Sequence, residues 1–306
     1  MSLPPLTRRA FGAVSALSAA AVWAPAIGVR AQTDGAALGR VTVAVGGQGV
    51  LYHLPLALAD ALGYFRLEGL DVVVRDYSAG ALAWQAVQDG AADVCSGAFE
   101  HVLRSQARGH AYRALVVQLA LGVSLRSVPA YKDLGDLAGR KVGVSSVGSS
   151  THLAASLMLM RAGVPLREVS FVGVGSGTNA MNALRSGQVQ ALCHADPIMT
   201  LLEQKADTRI VGDLRSLKAA QDMFSGTMPA SCLYAPQAFI QKQPAQAQAL
   251  VNGVVHALKW LQTAAPADLV KAVPPAYLMG DRGLYLAAFS RVRETYSTNG
   301  LMPDEG

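Results

Sequence analysis

The residues that could do chemistry in this chain gather in six short stretches built from hydroxyl, amide, aromatic and glycine residues. The richest is GVSSVGSST (Gly143 to Thr151), which brings Ser145, Ser146, Ser149, Ser150 and Thr151 together. It follows the apolar run Lys141 to Val144 and precedes LAASLMLMRAG, a periodic apolar segment that ends at Gly163. That order reads as strand, loop and first turn of a helix. Such a junction aims unpaired backbone N–H groups and the positive end of a helix dipole at one point, so it can hold an anion or polar head group without Lys or Arg. The plainer alternative is that Ser149, Ser150 or Thr151 caps the helix.

The other five stretches are Gly46 to His53 with Gln48 and Tyr52, Ser78 to Gly80, Ser96 to Ala98 with Gly97, Gly175 to Asn179 with Ser176 and Thr178, and His194 to Pro197 with Asp196. None of the six contains Lys or Arg. A negative group would therefore be held by N–H groups and hydroxyls, an arrangement that suits a sulfonate better than a doubly charged phosphate. Arg75 and Arg126, close by in sequence, are the cations that could alter this. His194 and Asp196 could form a polar pair for an amine or a heterocyclic N–H, or Asp196 could cap the helix that starts at Pro197. Tyr52 could stack on a flat ligand, whereas Trp84 falls at a helical position where core packing explains it.

Catalytic and metal motifs are incomplete. GVGSGT has Thr178 where a dinucleotide loop needs its third glycine, and GVSSV lacks the final glycine of a nucleophile elbow. His53, His152 and His194 lack metal-ligand spacing. Cys95, Cys193 and Cys232 read as small buried residues, with a Cys193–Cys232 pair left open. No catalytic residue, metal or cofactor is assigned.

The elements that must position these loops alternate. VTVAV (Val41 to Val45), LDVVVRDY, Asp93 to Cys95 and ALVVQLAL read as strands separated by helices, and the alternation restarts at KVGV and Val169 to Val172. This predicts an α/β fold with parallel sheets covered on both faces. At an offset of 97 residues Gly80, Ala83, Ala86 and Gly90 match Gly177, Ala180, Ala183 and Gly187, which fits two similar lobes. Ligands collect beyond the carboxyl ends of parallel strands, where all six loops fall, so they are expected to line one cleft. SCLYAP reads as a crossing strand, and the helices after it are expected to return to the first lobe.

The 306 residues, 51% hydrophobic and 15% charged, fit two domains better than one and argue against disorder or nucleic-acid binding. Of the 26 Lys and Arg, Arg8, Arg9 and Arg30 precede a Val29–Arg30–Ala31 cleavage pattern, leaving 23 bases against 21 acids. TRRAFGAVSALSAAAVWAPAIGVRAQ reads as a twin-arginine export signal, too interrupted by Ser15, Ser18 and Pro25 to be a membrane anchor. A periplasmic location is expected.

ALADALGYFRLEGLDVVV (Ala57 to Val74), DLAGRKVGV (Asp136 to Val144) and CLYAPQAFIQKQP (Cys232 to Pro244) resemble the periplasmic solute-binding proteins of the nitrate, sulfonate, taurine and thiamine-pyrimidine group of ABC importers. The resemblance implies a type II periplasmic binding protein fold, with two parallel-sheet lobes around an interdomain cleft. Its expected divisions are 1–31 (signal), 38–121 with 237–306 (first lobe) and 122–236 (second lobe). It also implies a monomer that closes on a small ligand and docks peripherally on a membrane permease driven by a cytoplasmic ATPase. A sulfonate or related small anion is the expected ligand. The alternatives are a pyrimidine, another aromatic heterocycle or an aromatic acid, a sensor or scavenger role, or an enzyme of thiamine-pyrimidine synthesis on the same fold.

Overall fold

Runs of Val, Ala and Leu become buried strands, and the small-residue loops that interrupt them turn each strand into a helix. The computed structural model describes residues 37–120, 122–204, 208–226 and 228–303; the export signal expected from sequence over 1–31 lies outside them. The strands are β1 (Gly39–Gly46), β2 (Leu70–Tyr77), β3 (Val94–Ala98), β4 (Tyr112–Ala120), β5 (Val123–Ser127), β6 (Lys141–Val144), β7 (Ser170–Gly173), β8 (Ala191–Ala195), β9 (Arg209–Asp213) and β10 (Pro229–Pro236). The helices before β5 are α1 (Leu54–Ala61), α2 (Tyr64–Leu67), α3 (Gly80–Gln88) and α4 (Glu100–Ala107). After it come α5 (Ser150–Arg161), α6 (Thr178–Arg185), α7 (Ile198–Gln204), α8 (Leu217–Phe224), α9 (Gln237–Lys242), α10 (Pro244–Thr263), α11 (Pro266–Ala272) and α12 (Arg282–Val292).

Two sheets result, ordered β2-β1-β3-β10-β4 and β7-β6-β8-β5-β9. The orders superpose strand for strand, and α3 and α6, which carry the 97-residue echo, occupy matching places after β2 and β7. Each sheet is mixed. β1 pairs in parallel with β2 and β3, and β6 with β7 and β8, whereas β10 and β5 run antiparallel to both of their neighbours. β10 therefore belongs to the first lobe's sheet, although the expected division at 236/237 grouped it with the second lobe. The short stretch between Leu121 and Tyr131 supplies β5, the second sheet's own crossing strand. Strand direction was hidden because β10 and β5 are buried along almost their whole length, so neither shows the alternation of a half-exposed antiparallel strand.

A contiguous core runs from β1 and α10 to β6, α5 and β8. α10 packs on α1, α2 and β4, as expected of a returning helix, while α12 packs against α7 of the second lobe, where Arg291 Nη2 meets Glu203 Oε1 at 2.9 Å. Among the described residues no helix is long and apolar enough to cross a membrane. The three cysteines are buried free thiols, Cys193 on β8 and Cys232 on β10, in different sheets.

α10 reaches Phe65 through Gly253, where an added Cβ would overlap the Phe65 ring. Overpacking costs roughly 1–3 kcal/mol, against about 1 kcal/mol gained in helix propensity on replacing Gly with Ala. Gly253→Ala is therefore expected to lose up to about 2 kcal/mol, read as a lower urea midpoint. An unchanged midpoint would show that Phe65 swings aside at no cost.

Candidate functional site

The loops at the strand ends bring the lobes together through backbone atoms. Ser176, on the loop before α6, donates to the Ser78 carbonyl from both its N–H (2.9 Å) and its hydroxyl (2.9 Å). Leu51 N–H donates to Asp196 O at 2.8 Å, and Arg104 Nη1 donates to Gly148 O at 2.6 Å. Gly47, at φ +85°, faces Ser176 so closely that a Cβ there would overlap the serine side chain. This is a closed arrangement of two lobes, and it needs glycine at that point both for its backbone conformation and for space.

Closure leaves two neighbouring spaces that share Val50 and Ser176 in their walls. The inner cavity, about 40 Å³, is lined from the first lobe by Tyr52, His53, Gly80, Gly97 and His101, and from the second by Ser145, Ser150, Thr151, Ser176 and His194. That volume admits roughly three water-sized groups. The outer cavity, about 460 Å³, lies between Asp76–Ser78 and Gly175–Asn179, with Pro197, Ile198, Tyr277 and Met279 completing its wall. The N-terminal residues of α3 and α5 border the inner space, and those of α6 the outer one.

Of the residues singled out from sequence, Tyr52, Gly80, Gly97, Ser145, Ser150, Thr151, Ser176 and His194 border the inner cavity, and Ser78, Ser176, Thr178 and Asn179 the outer one. Ser149 is consumed within its own loop. Its hydroxyl donates to Ser146 O at 2.7 Å and lies 2.8 Å from Ser145 Oγ and 2.9 Å from Thr151 Oγ1. Ser146 borders neither space, and its Oγ is buried without a partner. Ser96 is fully buried behind the cavity, held between His53 Nδ1 (2.9 Å) and Gln118 Nε2 (2.9 Å). Gln48 lines a separate space with Asp60 and Pro274. Asp196 does not pair with His194. Its carboxylate accepts from Thr200 N–H (2.8 Å) and meets Arg215 Nη1 at 3.4 Å, so it caps α7 and faces away from the cleft. His194 is instead held by backbone, 3.1 Å from Ala195 O and 3.3 Å from Gly175 O.

The nearby cations are committed elsewhere. Arg75 donates to Ala91 O, Arg126 to Thr208 with Glu203 at 3.4 Å, and Arg215 to Asp213 at 2.7 Å. Burial lowers the His53 and His101 pKa values to about 4 and also lowers that of His194, so all three rings are neutral at pH 7. Burial raises Glu100, in the first turn of α4, to about 7, and pushes the Tyr52 phenol well up, with the Glu100 charge adding to the effect. Tyr52 Oη, His101 Nε2 and Glu100 Oε1 are all buried without a hydrogen-bond partner.

Sequence reasoning assigned no binding role to His53, although it closes the first loop, and missed His101 on the cavity wall and Glu100, buried beside Tyr52. It ended the third loop at Ala98, yet the first turn of a helix that starts at a strand end shares that loop's position, and α4 begins at Glu100. His53 closes the turn that also carries Tyr52.

Two consequences are measurable. Gly47→Ala is expected to hold the lobes apart and raise the radius of gyration in small-angle scattering; an unchanged profile would mean that Ser176 relocates freely. Glu100 sets a pH dependence, because the unfolded chain loses this proton near 4.5 and the folded chain keeps it to about 7. The Glu100 contribution to stability should therefore fall as pH rises between those values, by about 3 kcal/mol in full, against the gain from His53 and His101, whose lowered values act in the opposite sense. In urea titrations at pH 5 and pH 8 the stability of the native protein relative to Glu100→Gln should fall by most of that amount; an unchanged difference between the two proteins would remove Glu100 as its source.

Two α/β lobes of matching strand order, closed over an interlobe cavity, define the fold of the periplasmic binding proteins. Similar solved structures include a protein of Bordetella bronchiseptica RB50 (46% identity, TM-score 0.85, covering 87% of this chain and 86% of that one). Another is the alkanesulfonate-binding protein SsuA from Xanthomonas axonopodis pv. citri bound to MOPS (18% identity, TM-score 0.68, 86% of each chain). The chain belongs to the NMT1/THI5 like family, whose profile matches residues 50–267. The 4-amino-5-hydroxymethyl-2-methylpyrimidine phosphate synthase THI13 of Saccharomyces cerevisiae is 24% identical over 50% of this chain, which spans 45% of the yeast protein's length.

Proposed function

We propose that this protein is the extracytoplasmic solute-binding component of an ABC importer and that it captures a small organic anion, a sulfonate or a close relative, by closure of its lobes. The observation that carries the reading is the inner cavity. Helix N-termini and hydroxyls from both lobes surround it, the described cations around it are engaged elsewhere, and its histidines are neutral. Partial charges on backbone N–H groups favour an anion there without a salt bridge. The inner cavity fits a head group, and the outer one leaves room for an organic tail. Contacts on both lobes favour the closed state over the open one, a difference that a permease can read. The export signal expected from the N-terminal sequence, the binding proteins among its structural relatives and the absence of a nucleophile motif agree with transport rather than turnover.

A second reading, a pyrimidine or related heterocycle, is favoured by Glu100, which is buried beside Tyr52 behind the cavity wall with Oε1 unpartnered, and whose charge as a carboxylate would favour a hydrogen-bond donor over an anion. The two readings differ in sign with pH. An anion should bind more weakly as Glu100 ionises above about pH 7, whereas a heterocyclic donor should bind more tightly. Calorimetry with ethanesulfonate, taurine, nitrate and 4-amino-5-hydroxymethyl-2-methylpyrimidine between pH 6 and 8.5 separates them. The expected result is sulfonate binding that weakens with rising pH, with the ligand recovered unchanged. Binding of the pyrimidine alone, tightening with pH, would replace the first reading by the second, and conversion of any ligand would make the protein an enzyme.

A further inference from the structure

His101 is fully buried at the start of α4 and borders the inner cavity. Its ring stacks on Trp84 at 5.0 Å between centroids and 9° between planes, and Trp84 is itself anchored through Nε1 to Ser105 Oγ at 3.1 Å. Nδ1 lies 3.0 Å from the Tyr234 hydroxyl. Nε2 has no partner. The Gly148 carbonyl across the cleft lies near enough to His101 to oppose the lowering of its pKa, yet it already accepts from Arg104 at 2.6 Å and does not meet Nε2 in hydrogen-bond geometry. The ring's Cε1 is turned toward Gly80, where even an added Cβ would stand 3.8 Å away, so this edge opens on the cavity.

Tyr234 decides which ring nitrogen carries the proton. Its hydroxyl lies 3.0 Å from His101 Nδ1 and close to the Cys95 thiol, which burial keeps protonated. A thiol is a weak donor and a weak acceptor, whereas an imidazole nitrogen is a good acceptor. The phenol O–H therefore goes to Nδ1 in preference to the thiol sulfur, which leaves the histidine proton on Nε2. A buried N–H without an acceptor is costly, and the cavity is where an acceptor would sit.

We infer that His101 is a donor of the binding site: its Nε2–H, fixed by Tyr234 on the opposite nitrogen and clamped by Trp84, donates to an anionic oxygen of the bound solute. This rests on the reading of the cavity as an anion site and adds a donor on the first lobe opposite the Ser150 hydroxyl and the first turn of α5 on the second, where the Ser145 and Thr151 hydroxyls are bonded to each other and to Ser149. A neutral ring in this role binds the anion without leaving a fixed positive charge in the empty cleft.

The test combines imidazole ¹⁵N NMR with binding of ethanesulfonate, which stays a monoanion throughout. In the free protein His101 is expected in the neutral Nε2–H tautomer from pH 5.5 to 8, and ethanesulfonate is expected to shift its Hε2 resonance. His101→Phe keeps the stack on Trp84 and removes the donor, and its Kd for ethanesulfonate should rise about ten- to hundredfold, as for a lost hydrogen bond to a charged group. An Nδ1–H tautomer, an unmoved Hε2 resonance on saturation, or an unchanged Kd in the variant would each overturn the inference and leave the sulfonate reading standing. Should His101→Phe fail to fold, the tautomer and the Hε2 shift of the native protein decide. If ethanesulfonate binds at no pH in this range, the sulfonate reading falls and the inference with it.

Discussion

The electrostatics of the inner cavity are set by the backbone and by neutral lining side chains, and most of the local architecture follows from that. Arg104, Arg126 and Arg215, which would dominate the field if free, are tied to Gly148 O, Glu203 and Asp213. What remains is the first turns of helices, a set of hydroxyls, three buried imidazoles held neutral by desolvation and two carboxyl groups. Asp76 on the outer wall accepts from Gly47 and Gln48 N–H, and Glu100 behind the inner cavity is held protonated up to about pH 7. Such a field is short-ranged and strongly directional. It requires loops of small residues, because only then can backbone N–H groups come close to whatever the cavity encloses.

Closure obeys the same constraint. The lobes touch through main-chain acceptors, with the Ser78 carbonyl taking two bonds from Ser176 and the Asp196 carbonyl taking one from Leu51. Bonds of this kind are individually worth about 1 kcal/mol net, which suits a contact that must form and release. The permanent stiffening is placed behind the cleft instead. There Arg215, almost wholly buried, joins Asp196 to Asp213 and holds the end of β8 against the turn after β9.

The alternation of strands and helices, the doubled lobe and the position of the six loops could all be read from sequence, because apolar periodicity and small-residue punctuation are local signals. The burial of Ser96 and the turning of Asp196 toward Arg215 could not, since both depend on partners, Gln118 and Arg215, that lie 22 and 19 positions away. Ser149 shows a different limit. Its sequence environment suited both a ligand contact and an internal bond, and the hydrogen bond to Ser146 O took the hydroxyl. His101 and Glu100 were missed because a helix's first turn reads as helix, although spatially it belongs to the loop.

The two antiparallel strands make the lobes unequal partners in assembly. The second sheet draws all its strands from one continuous stretch of chain, β5 to β9. In the first sheet β4 is joined only through β10, which arrives after the whole second lobe has been laid down. Until then β4 has an unpaired edge and the sheet stops at β3, the kind of long-range pairing that slows folding and leaves an intermediate exposed to aggregation. The second lobe can therefore complete its sheet first, with the first lobe waiting for a strand delivered from its far side.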